Sequence, residues 1–102
     1  MQIFVINLSS ATERSKLQKD QLTKLNLKYK ILNALSTEDI SNDIYRKHYY
    51  DWQRPLRKTE VACYFSHKSA WNRVIKSKKP ALILEDDAIL SIFLPELLDS
   101  LY

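Results

Sequence analysis

Apolar residues along the chain form two short continuous runs and one alternating segment, which together predict three β-strands. Residues 2–8 (QIFVINL) and 81–85 (ALILE) are nearly uninterrupted apolar runs. Runs of this kind are typical of strands that are buried on both faces of a sheet. Over residues 27–34 apolar and polar side chains alternate, which predicts a further strand between the two runs.

The segment between the first two strands has the spacing of a helix. Ser9 or Ser10 can cap this helix, which is predicted to end near Asn26, and Ser10 with Glu13 has the spacing of a capping box. Three leucines share one broad face and form its predicted contact with the core: Leu17, Leu22 and Leu25.

Two further helices are predicted between the second and third strands, and a short one after the third. The first covers residues 36–50, where Ser36 and Asp39 have capping spacing. The second covers about residues 59–76, and Pro95 opens the last helix. Four side chains of the second helix follow i, i+4, i+7 and i+11 on a single stripe: Cys63, His67, Ala70 and Val74.

The order strand, helix, strand, two helices, strand predicts an α/β fold with a three-stranded parallel sheet and flanking helices. The 102 residues are of a size for one small domain, and no internal repeat or linker divides them. Ligands of open parallel sheets bind beyond the carboxyl ends of the strands. Asn7 and the acidic run Glu85–Asp87 both fall at such ends.

Composition narrows the classes of function. Lys and Arg outnumber Asp and Glu by 16 to 12, a scattered excess that favours anionic partners such as phosphates or a membrane surface. With no nucleic-acid recognition motif, a nucleic-acid partner is not expected. The chain has no glycine, so glycine-rich phosphate loops are excluded. A single cysteine and the lack of a signal peptide or spanning segment make a cytoplasmic location the expectation.

The three consecutive acids at the end of the third strand need solvent, basic neighbours or a cation, because adjacent carboxylates repel each other. If the extended conformation persists, Glu85 and Asp87 point one way and Asp86 the other. Two oxygen donors at this spacing suit Mg²⁺ or Mn²⁺. The alternative is a solvated turn whose acids face Lys78 and Lys79.

Residues upstream of the acids carry a resemblance to a known family. In order and at matching spacing, residues 57–88 contain Glu60, Cys63, Ser66, His67, Trp71 and the Glu85–Asp87 run. This segment resembles glycosyltransferase family 25, the lipooligosaccharide-biosynthesis and collagen glycosyltransferases. The opening "VINLSSATER", with Arg14, is similar to the first strand of that family.

Two departures from the family pattern are visible. Thr59 and Ala62 stand where the family usually has glycines, and Thr59 is expected to cap the helix instead. The family's members are also much longer. The resemblance therefore implies a single domain, residues 1–102, that corresponds to the N-terminal, donor-binding portion of a truncated GT-A-like nucleotide-sugar-binding fold.

The resemblance implies a function as well. It implies transfer of a hexose, galactose above all, from a donor such as UDP-galactose to a lipooligosaccharide or lipopolysaccharide acceptor, with inversion. Asp87 is then the main ligand of a divalent cation, with Glu85 as a second ligand, and Glu85 and Asp86 also bind donor. Asn7 and Arg14 are expected to meet the base or the diphosphate. No catalytic base is assigned.

Each residue of the motif also has a purely structural interpretation. On this view His67 is a hydrogen-bonded core histidine, Ser66 a structural residue, Cys63 a small buried side chain, Trp71 a core residue and Glu60 a complement to the helix dipole. An aromatic cluster either stacks on a base or sugar or covers the sheet: Tyr45, Tyr49, Tyr50 and Trp52.

Two functions of other classes remain as alternatives. One is an inactive fragment or interaction module, which would associate with itself through an exposed sheet edge. The other is a receiver-type signalling domain, which is disfavoured because only fifteen residues follow Asp87 and Asp99 falls in a predicted helix. Peripheral contact with the inner face of a membrane is a further expectation, consistent with the basic charge.

Overall fold

The fold is built on a three-stranded parallel sheet, as the sequence predicts. The computed structural model describes residues 1–101. Strand β1 (Gln2–Asn7) lies in the centre, between β2 (Lys30–Asn33) and β3 (Ala81–Glu85). In the register of the sheet Asn7 pairs with Asn33, and Ile6 pairs with Glu85, so the three strands end at one edge.

Within residues 1–101, four α-helices and one 3₁₀ turn flank the sheet. They are α1 (Thr12–Lys24), the 3₁₀ turn (Thr37–Asp39), α2 (Asn42–His48), α3 (Lys58–Ser77) and α4 (Leu94–Ser100). None of the helices within residues 1–101 has the length and apolar character needed to cross a bilayer.

The helix predicted over residues 36–50 is interrupted. Ile40 is extended and buried, where it packs against Val61 and Ala62 of α3. Ser41 then caps a new helix, since its hydroxyl accepts a hydrogen bond from the amide of Ile44 at 3.2 Å. Burial of Ile40 and the new N-cap at Ser41 therefore divide the predicted helix in two. The capping box predicted for Ser36 and Asp39 is present.

Both faces of the sheet are covered by apolar contacts. On one face the core consists of Ile3 and Val5 with Leu22 of α1 and Leu98 of α4. On the other face it consists of Phe4, Ile6 and Leu32 with Ala70 of α3. The alternation of β1 residues between two cores explains why residues 2–8 form a continuous apolar run.

The starts of two helices differ from the sequence prediction. No side chain caps α1, which follows Ala11, so the capping box predicted for Ser10 and Glu13 is absent. Helix α3 begins at Lys58, and Thr59 is therefore not its cap. The prediction that Pro95 opens the last helix is confirmed, because Pro95 stands in the first turn of α4.

Helix α3 runs back along the sheet and extends beyond it. Its last residue, Ser77, accepts a hydrogen bond from Gln2 at the start of β1, with Nε2 and Oγ 3.0 Å apart. Ala70 lies over the middle of the sheet. The first turns of α3 consequently project past the carboxyl ends of the strands, where they form a wall beside the acidic run.

Candidate functional site

A cleft of about 250 Å³ opens at the carboxyl edge of the sheet. The turn after β1, the end of β2, the first turns of α3 and the end of β3 all contribute to its lining. Its chemically active side chains are Arg14, Cys63, His67, Glu85, Asp86 and Asp87. The cleft therefore lies where ligands of open parallel sheets bind.

The three acids point in different directions. Strand β3 ends at Glu85, and the chain turns there, with the amide of Ala88 donating to the carbonyl of Glu85 at 3.1 Å. Glu85 lies on the α3 face of the sheet and Asp86 on the α1 face, as strand alternation predicts. Since the extended conformation does not continue past Glu85, Asp87 belongs to the turn and is exposed.

Asp86 is the buried member of the three. Its carboxylate accepts a hydrogen bond from Nδ2 of Asn7 at 2.9 Å and lies 3.4 Å from a guanidinium nitrogen of Arg14. Asn7 is itself buried, and its amide also donates to the carbonyl of Ala11 at 3.1 Å. Asp86 thus joins the end of β3 to the turn between β1 and α1.

Two glutamines of α1 hold the turn that follows Asp86, a role that sequence analysis missed. Nε2 of Gln18 donates to the carbonyls of Asp86 at 3.1 Å and of Ala88 at 2.7 Å. Gln21 donates to the same Ala88 carbonyl at 3.0 Å and accepts from the amide of Leu90 at 2.8 Å. The two side chains replace interactions that a regular element would supply to this backbone.

A sequence signal for this contact existed. Arg14, Gln18 and Gln21 follow i, i+4 and i+7, a polar stripe that shares a helix face with Leu22. Gln18 is fully buried, whereas Leu17, which was predicted to face the core, is exposed. The side of α1 that packs on the sheet therefore includes Gln18 with Leu22, and not Leu17 as predicted.

Glu85 meets two residues of α3 on the opposite wall of the cleft. Its Oε1 lies 3.1 Å from Nε2 of His67 and accepts from the thiol of Cys63 at 3.6 Å. Loss of hydration raises the pKa of the Cys63 thiol, and the negative charge of Glu85 raises it further. The thiol therefore favours its protonated form beside Glu85.

The structural interpretations of Cys63 and His67 are wrong in placing both side chains in the core, although His67 is hydrogen-bonded as predicted. Cys63 is exposed, and His67 is partly exposed and lines the cleft. The predicted stripe itself exists, because Ala70 and Val74 pack on the sheet. The stripe continues beyond the edge of the sheet, and its first two members face the cleft instead of the core.

Asp87 is the acid without a protein partner. Its side chain lines the cleft, and within residues 1–101 no hydrogen bond or ion pair engages its carboxylate. Lys78 and Lys79 precede β3 and lie at its opposite end, where the Lys79 carbonyl accepts from Gln2. The interpretation in which these lysines neutralise the acidic run is therefore wrong.

Ser66 and Glu60 have structural roles, as their structural interpretation predicts. The hydroxyl of Ser66 donates to the carbonyl of Ala62 at 2.9 Å and accepts from the amide of Leu35 at 2.8 Å. Glu60 accepts from the amide of Arg57 at 3.1 Å and forms an ion pair with Arg54 at 2.8 Å. These hydrogen bonds lower the pKa of Glu60 to about 2.

Within residues 1–101 no Tyr, Trp or Phe lines the acidic cleft, although the ring centre of Trp71 lies 6.2 Å from that of His67. Trp71 is 47% exposed, so the prediction that it is a core residue is wrong. Tyr45 packs with the cluster on α3 and donates to the carbonyl of Leu56 at 2.7 Å, and it does not cover the sheet. Trp52 and Tyr64 line a second cleft of about 640 Å³, together with Glu60 and Val61.

These features define an α/β domain with an acidic cleft at the carboxyl edge of a parallel sheet. The chain belongs to glycosyltransferase family 25, described as "Glycosyltransferase family 25 (LPS biosynthesis protein)", which matches residues 1–102. The resemblance that residues 57–88 carry is confirmed and extends over the whole chain.

Two relatives illustrate the relationship. The chain is 25% identical over 112 residues to "Procollagen galactosyltransferase 1-B" of Xenopus laevis. It is 28% identical over 112 residues to "Procollagen galactosyltransferase 1" of Danio rerio. Each match covers 98% of this chain, and the chain spans only 18% of the length of either relative.

Proposed function

We propose that this chain binds the nucleotide-diphosphate sugar of a hexosyl transfer, with UDP-galactose as the favoured donor. Family membership supports the class of reaction, and the names of two relatives support galactose. The observation that carries the proposal is the position of Asp87, an exposed carboxylate without a partner among residues 1–101, in a cleft at the carboxyl edge of the sheet.

The carboxylates of this cleft fit a hard divalent cation. Mg²⁺ and Mn²⁺ prefer oxygen ligands and keep several waters, so one or two carboxylates in an open cleft suffice. Asp87 would be the main ligand and Glu85 the second. When bound, the cation neutralises the diphosphate, which makes it a better leaving group. No glycine-rich loop is present to share this task.

Arg14, Asp86 and Asn7 would bind and orient the donor. The Arg14 side chain is 63% exposed and makes a single contact with Asp86, so most of its donors remain for a phosphate. Asp86 fixes the direction of this guanidinium. Asn7 lies below the cleft lining and acts through its hydrogen bond to Asp86.

A GT-A-like donor domain over residues 1–102 is the architecture we propose, because the sheet topology and the acids at its edge agree with it. The acceptor would be a lipooligosaccharide or lipopolysaccharide, as the family description suggests. A cytoplasmic protein in peripheral contact with an anionic membrane face is consistent with the net charge of +4.

A second candidate function is that of a catalytically inactive interaction module. Ile89, Ile92 and Phe93 follow the acidic turn and are 79%, 74% and 63% exposed. Contiguous exposed apolar side chains mark association surfaces. The two functions are separated by donor binding, which the interaction module does not need.

Titration calorimetry with a panel of nucleotide sugars, with and without Mn²⁺, tests the proposal. We expect metal-dependent binding of one donor, and loss of more than about 100-fold in affinity for Asp87→Asn, because even outer-shell changes at metal sites cost 10–100-fold. The melting temperature should change little, since Asp87 is exposed.

Asp99→Asn is the matched control, because Asp99 is an exposed acid of α4 outside the cleft. The affinity of the Asp99→Asn variant for the donor should equal that of the unchanged chain. Absence of detectable binding for every nucleotide sugar would favour the interaction module. Metal-dependent binding that survives in Asp87→Asn would rule out the proposed ligand.

A further inference from the structure

A second set of donors lies in the cleft, and it differs in chemistry from the carboxylate of Asp87. Cys63 and His67 stand one turn apart on α3, and Glu85 reaches them from the end of β3. One ligand atom from each of the three residues lies within 4.8 Å of the others. The family assignment and the proposed donor site leave the thiol and the imidazole without a role.

Two of the three separations between these atoms are close to those of ligands around one small ion. With Zn–S about 2.3 Å and Zn–N and Zn–O about 2.1 Å, tetrahedral angles place S and O about 3.6 Å apart and N and O about 3.4 Å apart. The observed distances to Oε1 of Glu85 are 3.6 Å from Cys63 Sγ and 3.1 Å from His67 Nε2. The two pairs that include Glu85 are thus nearly in place before an ion arrives, and the third pair, Cys63 with His67, lies within 4.8 Å.

We propose that Cys63, His67 and Glu85 form a binding site for a zinc-class transition-metal ion. A thiolate and an imidazole select Zn²⁺ or Co²⁺ over Mg²⁺ and Mn²⁺, which prefer oxygen alone. When the ion binds, the Cys63 thiol releases its proton to solvent, and a thiolate with one carboxylate balances the two positive charges. Three protein ligands leave the fourth position open to the cleft.

Two regular elements of the fold carry the three ligands. Cys63 and His67 share one face of a 20-residue helix, the same i, i+4 arrangement by which helical metal sites present two ligands. Glu85 is the last residue of β3, which is hydrogen-bonded to the central strand. The backbone positions of the ligands are therefore fixed by a helix and a strand, and side-chain rotation alone has to complete the site.

Occupation of this site has a consequence that rests on the proposed function. Glu85 cannot serve the transition-metal ion and the donor-site cation equally, so Zn²⁺ would withdraw it from Asp87. We therefore expect micromolar Zn²⁺ to weaken Mn²⁺-dependent donor binding in the unchanged chain and to leave it unaffected in Cys63→Ser.

Titration of the reduced full chain with Co²⁺, followed by absorption spectroscopy, tests the site directly. We expect one equivalent to bind with a thiolate-to-cobalt charge-transfer band and the intense visible bands of tetrahedral cobalt, and Zn²⁺ to displace it. Cys63→Ser should abolish the charge-transfer band. His67→Gln and Glu85→Gln should each weaken binding by more than about tenfold, as losses at metal sites do.

Asp87→Asn is the control and should bind Co²⁺ as the unchanged chain does. Thermal melts of the metal-free variants establish that each one is folded. Absence of the charge-transfer band in the unchanged chain would overturn the site, and so would wild-type affinity in His67→Gln, which would mean that a single thiol binds the ion. If Co²⁺ binds as expected while no nucleotide sugar does, the metal site stands and the donor function fails.

Discussion

Three adjacent acids have three different environments, which shows that a shift of one position along the chain changes the burial and the partners of a carboxylate. Asp86 is buried with Asn7 and Arg14, Glu85 meets two side chains of α3, and Asp87 faces the cleft alone among the described residues. A buried carboxylate is tolerated only when it is hydrogen-bonded. The carboxylate of the middle acid is therefore fixed by the protein and positions Arg14, whereas the outer two line the cleft as exposed residues.

Asp86→Ala should lower the free energy of unfolding by about 1–3 kcal/mol, because the buried amide of Asn7 loses one of its two acceptors and keeps only the carbonyl of Ala11. Urea unfolding measures this change. Asp87→Ala is the matched comparison and should stay within about 0.5 kcal/mol of the unchanged chain, as exposed substitutions do. Equal effects of the two substitutions would contradict the division between buried and exposed acids.

Glu60 gives the stability a dependence on acid. Its pKa is about 2 in the folded chain, mainly because of the hydrogen bonds from Arg54, against about 4.3 in an unfolded chain. A lowered pKa stabilises the fold above the unfolded value, and this contribution is lost as the pH falls through the folded value.

The melting temperature of the unchanged chain should therefore exceed that of Glu60→Gln above about pH 5, and the difference should shrink toward pH 2. Melting curves across this range measure it. In the background of Arg54→Met the pH dependence of the difference should be much weaker, since the main hydrogen-bond donor is gone. A difference that is constant with pH would show that Glu60 does not act through its charge.

At the scale of elements, periodicity predicted most of the fold because most helices and strands bury an apolar face. The strands, the position of α3 and the proline in the first turn of α4 were found as predicted. Periodicity could not predict where a stripe leaves the sheet, and so it placed Cys63 and His67 in the core. It also missed Gln18, because a buried polar residue is specified by a distant backbone turn.

The chain ends α3 without glycine. Lys78, the residue after the helix, has φ of 56°, in the left-handed region that costs a residue with Cβ about 1–2 kcal/mol. Lys78→Gly should therefore stabilise the fold by about 1 kcal/mol after the loss of unfolded-state entropy, and raise the melting temperature by about 4–8 °C.

Lys79→Gly is the control for this substitution. Lys79 has no positive φ, so glycine brings only its entropic cost there and should not stabilise the fold. Differential scanning calorimetry compares the two variants. A melting temperature for Lys78→Gly at or below that of the unchanged chain would show that the backbone at this position is not strained.

At the scale of the whole molecule, the chain is less compact than its length predicts. Its radius of gyration is 15.3 Å, against about 13 Å for a compact domain of 100 residues. Strand β3 pairs only with β1 in the described part of the chain, and its side chains are only half-buried. Exposed apolar side chains follow it up to α4.

The chain should consequently associate with itself through β3 and residues 89–93. Sedimentation velocity over a range of concentrations measures this association. The double substitution Ile92→Lys, Phe93→Lys should raise the dissociation constant more than tenfold, a loss of more than about 1.4 kcal/mol of association free energy. Ile75→Lys changes an equally exposed isoleucine on the other face of the sheet and should have no such effect; a monomer at every concentration would contradict the prediction.

The projecting turns of α3 separate two cavities by the thickness of one helix. Cys63 and His67 line the acidic cleft, while Val61 and Tyr64 line the second cleft, to which Trp52 also contributes. A ligand that displaces these turns of α3 from one side would change the volume of the cleft on the other side. By thermodynamic linkage the effect is reciprocal. If a ligand in the second cleft changes the affinity of the acidic cleft for its own ligand by some factor, occupation of the acidic cleft changes the affinity of the second cleft by the same factor.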